Sequence, residues 1–243
     1  MKIAIVSDIH ANLEALQAFP EDYDELWVLG DLVTYGPNPA EVVDAVRRRA
    51  TLVVRGNHDH AAGTGSDPRC SEAFRSMAAE TLSFAREALS PDQKAWLAEL
   101  PVIADRTVEG TRFLACHAVP SDPLFTYCPQ DSPRWREEIA DTPADILLTG
   151  HTHLPFLLDL EGRLVVNPGS LGQPKNGRAD ACYSVWQNGR IELRSYAYPV
   201  EETARKILAL PVTADTQRRL VSVLRSGGNA YCSQTNKETE CLK

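Results

Sequence analysis

The chain has 243 residues, 43% of them hydrophobic and 24% charged, an ordinary composition for a globular α/β protein able to bury a core of normal size. Its formal net charge of -8 argues against a broad basic face gripping a nucleic-acid backbone. No stretch approaches the roughly 18 apolar residues of a membrane span. The run from Met1 to Ser7 also lacks the apolar stretch and small-residue cleavage site of a secretory signal, so the expected compartment is the cytoplasm.

Ile3 to Ser7 is a continuous apolar strand, too uniform to have a solvated face, and belongs in the middle of a sheet. Asn12 can cap a helix from Leu13 to Ala18. Leu26 to Leu29 is a second strand, Pro39 to Arg49 a helix and Thr51 to Val54 a third strand, a spacing that implies parallel crossovers. Pro68 to Leu100 reads as two helices divided at Ser90-Pro91. Strands Val102 to Asp105 and Arg112 to Cys116 follow, then a long proline-containing loop and a helix from Arg134 to Ala140. Beyond Ile146 the pattern is β: Ile146 to Thr149, Phe156 to Leu160, Leu164 to Asn167, Tyr183 to Trp186 and Ile191 to Tyr196, with hairpin turns at Glu161-Gly162 and Asn188-Gly189. Helices over Glu201 to Leu208 and Thr216 to Leu224 close the segment 1–225, which contains no internal linker or repeat and reads as one domain. The polar segment 226–243 is expected to be disordered. The six cysteines form no Cys-x-x-Cys pair, and most read as small buried hydrophobes in a reducing compartment, while Cys232 and Cys241 lie in the polar tail, open to adventitious oxidation.

The six histidines carry the functional signal. His10, His58, His60, His117, His151 and His153 all lie just after an apolar strand, where α/β sheets expose their carboxyl ends and bind ligands. The strand ends run into Asp8-Ile9-His10, Gly30-Asp31, Gly56-Asn57-His58-Asp59, His117 and Gly150-His151-Thr152-His153. If these stretches are extended, residues two apart point the same way, so Asp8 with His10 and His151 with His153 can converge. Gly30, Gly56 and Gly150 suit places where a strand must turn sharply. Oxygen donors with imidazoles suit Mn, Fe, Zn or Ni rather than Ca or a thiolate-bound metal. Seven candidate donors exceed one four-coordinate ion and suit two metals sharing an aspartate bridge, whose two oxygens and negative charge can hold both cations. Two divalent ions against Asp8 and Asp31 leave the site net positive, which gives an acidic chain a local attraction for phosphate.

These five motifs in this order resemble the calcineurin-like metallophosphoesterases, and Asn167-Pro168-Gly169-Ser170 is similar to a stretch of the small bacterial and archaeal phosphodiesterase-type members. The resemblance implies a four-layer α-β-β-α sandwich, two mixed sheets flanked by helices, with a dinuclear site at the strand ends. It implies Asp8, His10 and His153 around the first metal, Asn57, His117 and His151 around the second, and Asp31 bridging both, with Mn favoured. His58 follows a ligand in its motif and is implied as the non-ligand acid that protonates the leaving group or orients the phosphoryl oxygen. Two such metals can hold phosphoryl oxygens and activate a water for in-line attack, and a histidine near its unperturbed pKa suits proton donation to the departing alkoxide.

One departure bears on the substrate. Protein Ser/Thr phosphatases and their diadenosine tetraphosphatase relatives place an arginine where Tyr35 stands, a residue that clamps a terminal phosphate bidentately. Its replacement favours a phosphodiester or another small nucleotide-type substrate over a phosphomonoester or a dinucleoside polyphosphate. Arg55, Lys175 and Arg178 remain candidates to contact phosphate from other loops, and Tyr35, Phe125 and Tyr127 to line a base or aryl pocket. Asn12 can contact substrate instead of only capping its helix, Asp59 is read as supporting the ligands, and Cys116 as inert core. A nuclease and a non-catalytic interaction module are the competing classes. The net charge opposes the first, and the full donor set with His58 opposes the second.

Overall fold

The computed structural model describes residues 1–228. The first half alternates β1 (Lys2–Val6), α1 (Leu13–Gln17), β2 (Glu25–Val28), α2 (Pro39–Arg49) and β3 (Leu52–Val53), then runs through α3 (Asn57–Thr64), α4 (Glu72–Ala88) and α5 (Pro91–Glu99). The second half continues with β4 (Ile103–Val108), β5 (Thr111–Cys116), α6 (Arg134–Ala140), β6 (Ile146–Leu148), β7 (Phe156–Leu160), β8 (Arg163–Asn167), β9 (Ala181–Gln187) and β10 (Arg190–Tyr196), and ends in α7 (Val200–Ile207) and α8 (Ala214–Ser226). One sheet has the order β10-β9-β1-β2-β3 and the other β4-β5-β6-β8-β7. The first has two antiparallel pairs followed by two parallel ones and the second two parallel pairs between antiparallel ones, so both sheets are mixed.

β1 lies at the centre of its sheet because both of its faces are apolar. Ile3 and Ile5 join Trp27, Leu29, Phe113, Ile146, Leu148 and Trp186 in the core between the sheets. Ala4 and Val6 face outward, against Leu16 of α1, Val42 and Val46 of α2 and Leu97 of α5. On the far side, Leu147 and Val165 of the second sheet pack against Trp135 and Ile139 of α6. The expected α-β-β-α layering follows from these three cores. Phe113 meets Trp27 and Trp186 edge-to-face, with ring centroids 5.1 and 5.6 Å apart, a geometry that adds to the area buried between the sheets.

Several helix ends follow from their local sequence. Ser90 and Gln93 exchange capping bonds of 3.1 and 3.0 Å, with Pro91 at the first helical position of α5. Asn12 Oδ1 accepts the Ala15 N–H at 3.1 Å, as expected, and Asn12 Nδ2 donates to the Gly172 carbonyl at 2.9 Å and to Tyr198 Oη at 3.1 Å. With those bonds Asn12 is committed to the fold, not to a ligand. Helix α3 is an element the hydrophobic pattern did not signal. Its Asp59, three residues past Gly56, accepts the Gly56 N–H at 3.0 Å, and Gly65 ends it in a left-handed conformation. Helix α8 reaches Ser226 and is capped by Gly227, so residue 226 belongs to the last described helix. Residues 229–243, with Cys232 and Cys241, lie outside the described residues. Among the described residues no helix is long and apolar enough to cross a membrane.

Candidate metal centre

The parallel strands β1, β2 and β3 of one sheet and β5 and β6 of the other deliver the predicted residues from their carboxyl ends. The loops beyond them are stitched together by backbone bonds, including Asp8 N–H to Gly30 O at 3.0 Å, His10 N–H to Asp31 O at 2.9 Å and Gly150 N–H to His117 O at 2.8 Å. The backbone there is not extended. Asp8, His10, Asp31, His151 and His153 all adopt positive φ, between 46° and 64°. Non-glycine residues held in this region cost about 1–3 kcal/mol each and cluster at functional sites. Alternation of an extended chain therefore does not apply: Asp8 and His10 do meet, but His151 and His153 turn to different groups. Gly30 has a φ of +89° and serves as a sharp turn. Gly56 and Gly150 have a different reason. A Cβ on Gly56 would stand 2.8 Å from Asp31 Cγ, and one on Gly150 2.9 Å from Asp8 Oδ2. Neither site has space for a side chain.

Two groups result, Asp8 with His10 and His153, and Asp31 with His117 and His151. In the first, His10 Nε2 is 3.1 Å from His153 Nε2, and Asp8 Oδ1 is 3.3 Å from His153 Nε2 and 3.9 Å from His10 Nε2. His10 Nδ1 and His153 Nδ1 reach the carbonyls of Val33 (3.1 Å) and Gln173 (2.6 Å), so both rings carry the proton on Nδ1 and point a lone pair at each other. Among the described residues Asp8 Oδ1 meets no hydrogen-bond donor. Three buried acceptors facing one another repel unless a cation or extra proton sits among them. In the second group, His117 donates from Nδ1 to the Leu29 carbonyl at 2.8 Å, a bond that spans the two sheets. Its Nε2 faces Asn57 Oδ1 at 3.1 Å, His151 Nδ1 at 3.2 Å and Asp31 Oδ2 at 3.2 Å. Asn57 donates its amide to the Pro68 carbonyl at 2.7 Å, which leaves the oxygen for the site.

Asp31 joins the groups, though not by sharing its two oxygens. Oδ2 lies 3.2 Å from His117 Nε2 and 3.8 Å from His10 Nε2, while Oδ1 accepts the His58 N–H at 2.9 Å. Asp59 holds this loop in place by accepting the N–H groups of Asp31 and Leu32, both at 2.8 Å. Burial keeps His10 and His153 well below the usual histidine range and His151 at about 3, so these rings stay neutral. For His117 burial opposes protonation, but the Asp31 carboxylate outweighs it and raises the imidazole to about 9. Burial also raises Asp8 to about 6. Asp31 stays well below its usual range despite burial, because His117 and His58 flank it.

His58 sits in the first turn of α3 with Nδ1 2.7 Å from Thr34 Oγ1 and Nε2 3.4 Å from Cys70 Sγ. Its ring meets His10 edge-on, centroids 5.1 Å apart. Neither Thr34 nor Cys70 was legible as part of this site; Cys70 comes from a loop twelve residues along the chain. Of the three basic candidates, Lys175 is the one whose charge is felt at the centre. Its Nζ stands 4.4 Å over the Phe74 ring, and beside the larger effect of burial its positive charge works against protonation of Asp8, His10, His151 and His153. Arg55 turns away to the Ala98 carbonyl at the end of α5, and Arg178 is exposed and paired with Asp180 at 2.7 Å. Tyr35 is not on an open pocket wall. It is buried among residues of α4, α7 and α8 and edge-on to His10 at 4.9 Å. Tyr127 is 57% exposed with its ring 6.0 Å from that of His151, the one ligand candidate that is not fully buried, so it stands at the mouth of the centre. Phe125 stacks beneath the Arg69 guanidinium at 4.2 Å and edge-on to the half-buried His60. Cys116 points away from His117 into the α6 core, where burial pushes its thiol up.

Residues 1–187 match the calcineurin-like phosphoesterase superfamily domain. The chain belongs to this family. Among its relatives is an uncharacterized protein of Methanocaldococcus jannaschii, 30% identical over 85% of this chain and 91% of that protein. The crystal structure of a metallophosphoesterase from Sphaerobacter thermophilus is 27% identical and superposes with a TM-score of 0.79, covering 93% of this chain and 99% of that one. A Vibrio parahaemolyticus protein named symmetrical bis(5'-nucleosyl)-tetraphosphatase is 28% identical over 86% of this chain and 77% of its own length. This calcineurin-like chain is a hydrolase of phosphate esters, and it brings together two groups of side chains that could each hold a metal ion.

Proposed function

We propose that this enzyme cleaves phosphodiesters or small nucleotide-type substrates at a pair of divalent cations, manganese by preference. Asp8, His10 and His153 would hold one ion and Asn57, His117 and His151 the other, with Asp31 Oδ2 shared. The observation that carries the reading is the position of that single oxygen between two groups of buried side chains whose ligand-type atoms face one another. Oxygen and imidazole donors without thiolate fit a first-row divalent metal. When bound, the ions supply positive charge to phosphoryl oxygens and lower the pKa of the attacking water. The remaining tasks fall to the chain. His58 gives a ring proton to the oxygen that leaves, Lys175 adds charge beside the phosphoryl group, and Tyr127 offers an exposed ring to an aryl or base group entering beside His151.

The name of the Vibrio relative favours a second reading, a dinucleoside polyphosphate substrate. Manganese-loaded protein assayed on bis(p-nitrophenyl) phosphate, p-nitrophenyl phosphate and diadenosine tetraphosphate separates the readings. The diester should give a higher kcat/KM than the monoester. Preference for the monoester would overturn the substrate class, and a kcat/KM on the tetraphosphate at least tenfold above the diester would establish the second reading.

A further inference from the structure

His58 has both ring nitrogens engaged, and the two contacts differ in strength. The Thr34 hydroxyl meets Nδ1 at 2.7 Å, a short bond that anchors the ring. Cys70 Sγ meets Nε2 at 3.4 Å, and a thiol is a weak hydrogen-bonding group that a better partner readily replaces. The thiol is itself held by Tyr35 Oη at 3.4 Å, and the Tyr35 ring packs on His58 with centroids 4.9 Å apart. Cys70 is not sealed in the core. It lines a cleft of about 350 Å³ with Pro68, Ala78 and Leu82, between the loop after α3 and helix α4. The rigid edge of the imidazole is therefore Nδ1 and the exchangeable edge is Nε2.

We propose that Cys70 is a positioning residue for His58: its thiol holds Nε2 in line until the leaving oxygen of the substrate takes that place. This rests on His58 acting as the acid, and concerns what aims it. Cys70→Ala leaves the metal ligands untouched but frees the ring edge, whereas Cys70→Ser keeps a hydrogen-bonding group facing it.

The test compares Cys70→Ala, Cys70→Ser and His58→Ala, loaded with manganese to equal content, on diphenyl phosphate and bis(p-nitrophenyl) phosphate. The phenoxide of the first is the poorer leaving group and needs the proton more. Cys70→Ala should lower kcat on diphenyl phosphate about tenfold, the scale of losing a group that orients a functional side chain, and less than about twofold on the nitrophenyl ester. Cys70→Ser should recover most of the loss. In the wild type, capping thiols with methyl methanethiosulfonate should reproduce the selective loss, dithiothreitol should reverse it, and Cys70→Ser should be insensitive. Equal losses on both esters, a serine variant as poor as the alanine one, or no loss would each overturn the proposal while leaving the acid role of His58 intact. If His58→Ala itself lacks the leaving-group dependence, the acid role fails and the Cys70 proposal with it.

Discussion

Gly56→Ala is the smallest change that reaches the bridge between the two donor groups. The added Cβ would lie 2.5 Å from Asp31 N and 2.8 Å from Asp31 Cγ, with Oδ1 nearer still, whereas real Cβ contacts essentially never fall under 3.0 Å. Gly56 opens α3 and Asp59 ties its N–H down, so the strain passes to the Asp31 carboxylate. A displacement of about 1 Å at such a position costs on the order of 10²-fold in rate. Overpacking of this kind destabilises by about 1–3 kcal/mol. Calorimetric manganese titration and kcat/KM on a diester are the assays. Gly110→Ala is the control, because Gly110 has a φ of +83° and nothing within 4 Å of the new methyl, so it introduces backbone strain away from the centre. Gly56→Ala should weaken manganese binding and lower kcat/KM about 10²-fold, with Gly110→Ala near wild type in both. Wild-type binding and turnover in Gly56→Ala would refute the close packing on which the bridge depends.

Manganese uptake should release a proton from His117. Its imidazole is raised to about 9, so it is charged at about pH 7.5 and must become neutral to offer Nε2 to a cation. The release should be largest well below pH 9 and fade as pH rises through it. Calorimetry in two buffers of different ionisation enthalpy reads the number, and no release at about pH 7.5 would contradict the assignment of His117. Phe113→Ala empties the junction with Trp27 and Trp186 and should cost about 3–5 kcal/mol in urea unfolding. A loss below about 1 kcal/mol would mean that the inter-sheet core does not depend on this contact.

The sheets were readable because β1, β2 and β6 are short, mostly apolar runs buried on both faces, and each ends abruptly in a polar motif. Those ends held most of the metal candidates, and the structure gathers all seven. What pattern alone could not give was direction. The division of His151 from His153 depends on left-handed backbone at both residues, which the spacing of two hides. Helix α3 lacks an apolar stripe because its first turn faces the centre and carries Asn57, His58 and Asp59, so no periodicity betrays it. Arg55 and Arg178 were plausible by loop position, yet a carbonyl of α5 and the carboxylate of Asp180 claim them. Cys70 and Thr34 reach His58 only through tertiary packing, and nothing near them in the chain marks them.

A pair of cations joined through Asp31 fixes the metal stoichiometry of the protein, which can be measured. Wild-type protein and Asp31→Asn should be loaded with manganese, desalted and measured by elemental analysis against protein concentration. The wild type should hold two ions per chain, one for each donor group. Asp31→Asn, which removes the charge between the groups, should lose affinity at both positions together. A wild-type stoichiometry of one or zero at saturation, or an Asp31→Asn protein that keeps both ions, would contradict the account.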